Sequence, residues 1–173
     1  FGGSSALSPF SDALVRSIPA ALKKKMPGQR IAVLQLGRDS AGLLARALPH
    51  LRNSAELSAC RYVVAEKSPA KAEAVSLLFD KAPGVEFVSL DLEAPAAEHK
   101  GKYHIILLAC SLHEYENSAL TLKGCLDLLA PGGMLCLLEH AASMFTDYVF
   151  GANPWWWKAS RERGLPVSLL QPR

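Results

Sequence analysis

Short apolar runs alternate with amphipathic stretches along most of this chain, and turn residues separate them. Four- to seven-residue apolar runs bounded by turn signals read as buried strands, while apolar positions recurring every three to four residues read as helices. On that basis residues 30–36 (RIAVLQL) form a first strand and 40–48 a helix that Pro49 stops. Residues 61–65 (RYVVA) form a second strand that ends in Glu66. Ser68-Pro69 has the form of a helix N-cap followed by proline in the first turn, and the helix it opens runs to about Lys81, before Pro83-Gly84. Residues 85–90 are a third strand, followed by Asp91, and 103–109 (YHIILLA) are a fourth, almost wholly apolar, as suits a strand buried on both faces. A helix over 117–129, a turn at Pro131-Gly132-Gly133 and a fifth strand over 134–138 (MLCLL), ending in Glu139, complete the series.

Ahead of this series, residues 1–11 are rich in Gly, Ser and Pro and read as a linker. Ser11 can cap a helix over 12–24, which has Leu14, Val15, Ile18 and Leu22 on one face and Pro19 to bend it, and Pro27-Gly28 closes the segment. Residues 158–173 carry Pro166 and Pro172 and read as a connector. The expected organisation is thus a linker and helix over 1–29, one α/β domain over 30–157 and a connector over 158–173.

Strands that alternate with helices predict a parallel sheet with right-handed crossovers. Ligands of such sheets bind at the carboxyl ends of the strands. Here that rim collects Gly37, Glu66, Asp91, the segment from Cys110 to His113, and Glu139.

Composition narrows the function classes. Of the 173 residues, 50% are hydrophobic and 20% charged, which suits a packed core and excludes disorder. The net charge is +3 and the basic residues are scattered apart from Lys23-Lys24-Lys25, which reads as a solvated helix end, so there is no nucleic-acid footprint. The four cysteines have no metal-type spacing and three lie in apolar runs, an arrangement expected of a reducing cytoplasm. No metal site and no membrane-spanning segment are expected.

The rim residues carry the candidate chemistry. Glu66 lies 29 positions after Gly37 and can accept hydrogen bonds from a ribose diol; the alternative is a surface glutamate placed favourably before a helix. Asp91 can hold an exocyclic amine or simply serve a turn. His113 and Glu139 end neighbouring strands if the sheet is wound in the usual order. A carboxylate that orients an imidazole makes it a general base, and the alternative is an unrelated pair. Trp155, Trp156 and Trp157 cannot share one face of a regular element, so at least one is expected to cover a cleft or partner surface.

Taken together these segments resemble the C-methyltransferase domain of polyketide synthases, a class I fold that uses S-adenosylmethionine (SAM). Residues 62–69 (YVVAEKSP) look like the family's second-strand segment, and 90–95 (LDLEAP) like its third. Leu112-His113 followed by 128–139 (LLAPGGMLCLLE) look like its "LH…LLxPGGxLxLxE" signature, and Phe150-Gly151 with 154–156 like its "FG…WW" segment. The resemblance implies a Rossmann-like, mainly parallel sheet, here truncated after strand five because no room remains for the last two strands. It also implies a ketoacyl thioester on the phosphopantetheine arm of an acyl carrier protein as substrate, SAM as methyl donor, and His113 and Glu139 as the base pair.

The chain departs from the family in the SAM loop. The pattern "E-x-G-x-G-x-G-G" reads Gln35-Leu36-Gly37-Arg38-Asp39-Ser40-Ala41-Gly42. A neutral Gln35 replaces the carboxylate that should meet the methionyl ammonium. Asp39 and Ala41 replace glycines, so that Cβ atoms oppose close backbone approach. Asp39 also brings negative charge toward the SAM carboxylate. His104 stands for an aspartate early in strand four, and Cys110 for an asparagine. Gln35, Gly37, Asp39, Gly42, Glu66, Asp91 and Cys110 therefore form a degenerate SAM site. The expectation is a noncatalytic pseudo-methyltransferase within a polyketide or fatty acid synthase, needing no cofactor and spacing or docking its neighbouring domains. The alternatives are an active SAM-dependent enzyme with a divergent loop, and an unrelated protein of the same fold.

Overall fold

The computed structural model describes residues 12, 13, 15, 16, 18, 31–37, 40–53, 60–79, 82, 84–109, 111, 112, 115, 117–139, 148, 151 and 152. The described elements are β1 (Ala32–Gly37), α1 (Ser40–Asn53), β2 (Arg61–Glu66), α2 (Pro69–Leu78), β3 (Val85–Ser89), a single 3-10 turn (Ala97–His99), β4 (Tyr103–Ala109), α3 (Ser118–Leu128) and β5 (Leu129–Leu138).

The strands form one sheet in the order β3-β2-β1-β4-β5. Every pairing is parallel. The order reverses at β1, which lies between β2 and β4, and a crevice opens outside the strand ends at such a switch point.

Alternation along β1 divides the core into two. Ile31 and Val33 face a cluster with Leu43, Leu44 and Ala47 of α1, Tyr62, Val64, Ile105 and Leu107. Val15 and Ile18, from the helical part of the N-terminal segment, join it. Ala32, Leu34 and Leu36 face the other cluster, with Val63, Ile106, Leu108, and Cys125 and Leu128 of α3. Side chains two apart share a face of a strand, so both faces of β1 and β4 must be apolar and both must be covered. At the sheet's lower edge, Ala32 N–H donates to His104 Nδ1 at 3.1 Å, which ties the start of β1 to β4. Arg61 forms a two-pronged pair with Glu86, at 2.8 and 2.6 Å.

Several predicted boundaries are corrected. α1 does not stop at Pro49 but continues to Asn53 with the proline inside it. Ala45 and Pro49 are both exposed, so the Ala45 carbonyl that loses its intrahelical partner faces water. α2 ends at Leu78, one turn before Lys81, with Phe79 as its C-cap. Lys81 lies outside the described residues. The Pro131-Gly132-Gly133 turn is absorbed into β5 as an irregularity. Tyr103 pairs with Leu129 and Ile105 already pairs with Met134, so the extra residues bulge outward at Gly132, where φ is +70°. The predicted cap at Ser68 is in place, its Oγ accepting from Lys71 N at 3.2 Å, while Asn117, expected as the first residue of its helix, instead caps it, its Oδ1 accepting from Leu120 N at 3.0 Å.

Two glycines are fixed by close packing. Gly37, at the end of β1, has φ +130°, and a Cβ there would run into the carbonyl oxygen of Ala109 on β4. Gly124 brings α3 against the backbone of Leu92, whose carbonyl oxygen occupies the space a Cβ would need. Among the described residues no helix is long and apolar enough to cross a membrane.

Candidate functional site

At the carboxyl ends of the strands lies a cleft of about 410 Å³. Its floor comes from the ends of β1 and β2 (Leu36, Gly37, Ala65, Glu66) and from Leu90 and Ser111 beyond β3 and β4. Ala41 of α1 and Lys71, Ala74 and Val75 of α2 line it as well, together with Lys67 and Tyr115. Lys71, Ala74 and Val75 share a face of α2 because they are three and four residues apart. The volume and the mixture of apolar walls with a few polar groups are those of a small-molecule site.

The predicted site residues separate into groups. Glu66 and Gly37 meet in the cleft. Gln35 does not line it: the side chain is fully buried, and its Oε1 accepts a 2.7 Å hydrogen bond from the Tyr62 hydroxyl. β1 side chains alternate, so Gln35 shares the face of Val33, toward α1. Burial holds the Tyr62 hydroxyl well above the usual tyrosine pKa, so the neutral phenol remains the donor. Gly42 is half-buried within α1 and is not part of the lining. Asp91 is exposed and folds back locally, its Oδ1 accepting from Glu93 N at 3.0 Å, the geometry of an Asx turn.

Glu139 sits beyond β5, next to the chain that leaves β4. One of its oxygens accepts from both Ser111 N (2.7 Å) and Leu112 N (2.6 Å). Charge-assisted bonds of this length are strong, and this pair fixes the backbone immediately before position 113. Asp39, Cys110 and His113 lie outside the described residues, as do Trp155, Trp156 and Trp157.

Three polar residues of the lining, Lys67, Lys71 and Tyr115, were not singled out from the sequence. Lys67 follows Glu66 directly; it pairs with Glu93 at 3.7 Å and lies 5.7 Å from the centre of the Tyr115 ring. Glu93 also accepts from Asn117 N at 3.1 Å, which links the second strand's end to the start of α3. Lys71, the third residue of α2, and Ser111, within the 110–113 segment expected on the rim, complete the polar lining; Lys67 was marked by its place directly after strand two, whereas the face that Lys71 takes depends on how α2 packs. Among the described residues no group of three or more His, Cys, Asp or Glu side chains is arranged to hold a metal ion.

No protein-family model matches the chain. It is 30% identical over 152 residues to the non-reducing polyketide synthase pkiA of Emericella nidulans, which covers 87% of this chain and 6% of that synthase. The chain therefore spans a small fraction of the relatives it matches. Its fold is similar to the crystal structure of the CurJ carbon methyltransferase, with a TM-score of 0.79 and 25% identity over 98% of this chain and 45% of that one. It is also similar to the trans-methyltransferase CalH in complex with SAH, with a TM-score of 0.68 and 23% identity, covering 95% of this chain and 44% of that one.

Proposed function

Because this chain is a methyltransferase-like domain of the polyketide synthase C-methyltransferase type, we propose that it is a noncatalytic module that spaces or docks neighbouring domains of such a synthase. Gln35 carries this reading. A methyl donor of the SAM type presents a methionyl ammonium, and the first position of the glycine motif is where the resemblance places its carboxylate partner. Here that position holds a neutral amide, fully buried and bonded to Tyr62. Loss of a hydrogen bond to a charged group costs about 1.5–3 kcal/mol, or roughly 10- to 150-fold in affinity. Ala41, at a glycine position of the motif, adds a methyl group to the cleft wall. On this reading the cleft keeps the Glu66 position for a nucleoside but lacks the charged partner for the amino-acid end of SAM.

A second reading is favoured by Glu139. Its carboxylate secures the backbone just before His113, which is where an α-carbon proton would be abstracted in methylation of a β-ketoacyl thioester carried on the phosphopantetheine of an acyl carrier protein.

Calorimetric titration of SAM and S-adenosylhomocysteine into the folded chain separates the two, with Ala41→Trp, on the cleft wall, as a blocked-cleft control whose fold a thermal melt checks. The noncatalytic reading expects no binding heat up to millimolar ligand. Micromolar binding that the control abolishes would overturn it, and would move the question to methylation assays of His113→Ala and Glu139→Gln.

A further inference from the structure

The start of β1 is held by a side chain that can take up a proton. Ala32 N–H donates across to His104 Nδ1 on β4, at 3.1 Å. The ladder between these strands begins one residue later, at Val33 and Ile105, so the imidazole receives the amide that stands just before it. Ala32 is only 6% exposed, and an amide so little hydrated is costly to leave without an acceptor. The donor also fixes the state of the ring. A backbone amide can only donate, so Nδ1 carries no proton and the hydrogen of the neutral imidazole is on Nε2. Protonation puts a hydrogen on Nδ1 as well, and two donors then face each other.

His104 stands where the resemblance to C-methyltransferase domains places an aspartate. A carboxylate keeps its charge and its acceptor atoms between pH 5 and 8, whereas a histidine titrates within that range. The strands on either side of β4 hold no Asp, Glu, Lys, Arg or His from Ala32 to Gly37 or from Leu129 to Leu138. Of the charged groups at this end of the sheet, Lys102 and Arg61 are cations, and the carboxylates of Glu86 and Asp127 pair with Arg61 and Lys100. His99 lies 3.0 Å from the Tyr103 hydroxyl, and the last turn of α1 adds His50 and Arg52, both exposed. Arg30, just ahead of Ile31, lies outside the described residues. Cations and paired carboxylates do not favour a further positive charge.

We propose that the Ala32–His104 contact is an acid-sensitive latch of the fold, which holds the start of β1 to β4 at neutral pH and is released when His104 is protonated. It does not depend on the reading of the cleft, which lies at the opposite end of β1. In the unfolded chain the imidazole takes a proton near its ordinary value of about 6.5, while the folded chain must break the bond to do so. Stability from this group is therefore complete above about pH 7.5 and falls as the pH drops below about 6.5.

Chemical denaturation of the whole chain from pH 7.5 to 5.5 tests the latch, with His104→Asn, His104→Asp and His104→Ala beside the parent. His104 is expected to raise the parent's unfolding equilibrium constant about tenfold over that range. The hydrogen-exchange protection of the Ala32 amide should fall with it. His104→Asn and His104→Asp keep an acceptor that does not titrate there, so this tenfold part should vanish, while the other histidines contribute alike to every chain. His104→Ala should be less stable than the parent at pH 7.5 and lose less toward acid. Nitrogen-15 shifts of the parent's ring at pH 7.5 are expected to show Nδ1 without a proton, a readout that needs no variant to fold. The same pH dependence in the parent and in His104→Asn overturns the proposal, as does a proton on Nδ1 at pH 7.5 or an Ala32 protection that does not change with pH.

Discussion

Gln35 and Cys125 show how far burial decides the chemistry of a single side chain. The identity of Gln35 was legible as a departure from a pattern, but its direction was not. Only the alternation of β1 against its neighbours sends it into the core to meet Tyr62, rather than into the cleft. Cys125 lies wholly within the α3-side cluster, where burial pushes its thiol from 9.0 up to about 11. The neutral thiol is favoured in the folded state, so the unfolded chain ionises first. Stability from this group is complete below pH 9 and is lost as the pH rises from about 9 to about 11. One proton over two pH units corresponds to about 2–3 kcal/mol. Tyr62 and Tyr103, also raised by burial, act in the same direction at higher pH. Chemical denaturation at a series of alkaline pH values should show a shallower decline for Cys125→Ala than for the parent. Equal slopes would show that the thiol is not held neutral by its surroundings.

At the scale of elements, hydrophobic period located β1, β2, β3 and β4 to within a residue or two, because buried parallel strands leave little freedom in composition. It failed at α1, where an exposed proline was tolerated, and at Pro131-Gly132-Gly133, where strand pairing resumed on both sides of the bulge. Both failures have one cause: backbone groups that lose a partner cost little where water reaches them. Gly124 gives the opposite case, a position in the interior of a helix where glycine looks unfavourable. Alanine there should gain up to about 1 kcal/mol in helix propensity. Its Cβ would, however, meet the Leu92 carbonyl oxygen, a backbone atom that cannot turn aside. Overpacking of this kind costs about 1–3 kcal/mol. Gly124→Ala is therefore expected to lower the melting temperature by several degrees, and an unchanged or higher value would mean that α3 can move off Leu92 freely.

For the molecule as a whole, the parallel β4·β5 pairing matters most to the site. It places Glu139 beside the loop that leaves β4, 27 and 28 positions earlier in the chain. Glu139→Ala should release the amides of Ser111 and Leu112, so that their hydrogen exchange quickens by about tenfold or more. Glu139→Gln keeps an acceptor oxygen and should have a smaller effect. If exchange at both amides is unchanged in Glu139→Ala, the carboxylate does not hold this loop.

The sequence by itself determined the alternating strands and helices, the rim on which Gly37, Glu66 and Glu139 would stand, and the kinship of the domain. These follow from local periodicity and from short motifs, which are properties of neighbouring residues. Tertiary structure alone decided that Gln35 faces inward, that Glu139 grips Ser111 and Leu112, and that Ser111 and Lys71 share one cleft with Glu66. Those relations depend on strand order and helix packing across long stretches of chain, and contacts of that kind leave no pattern in the residues between them.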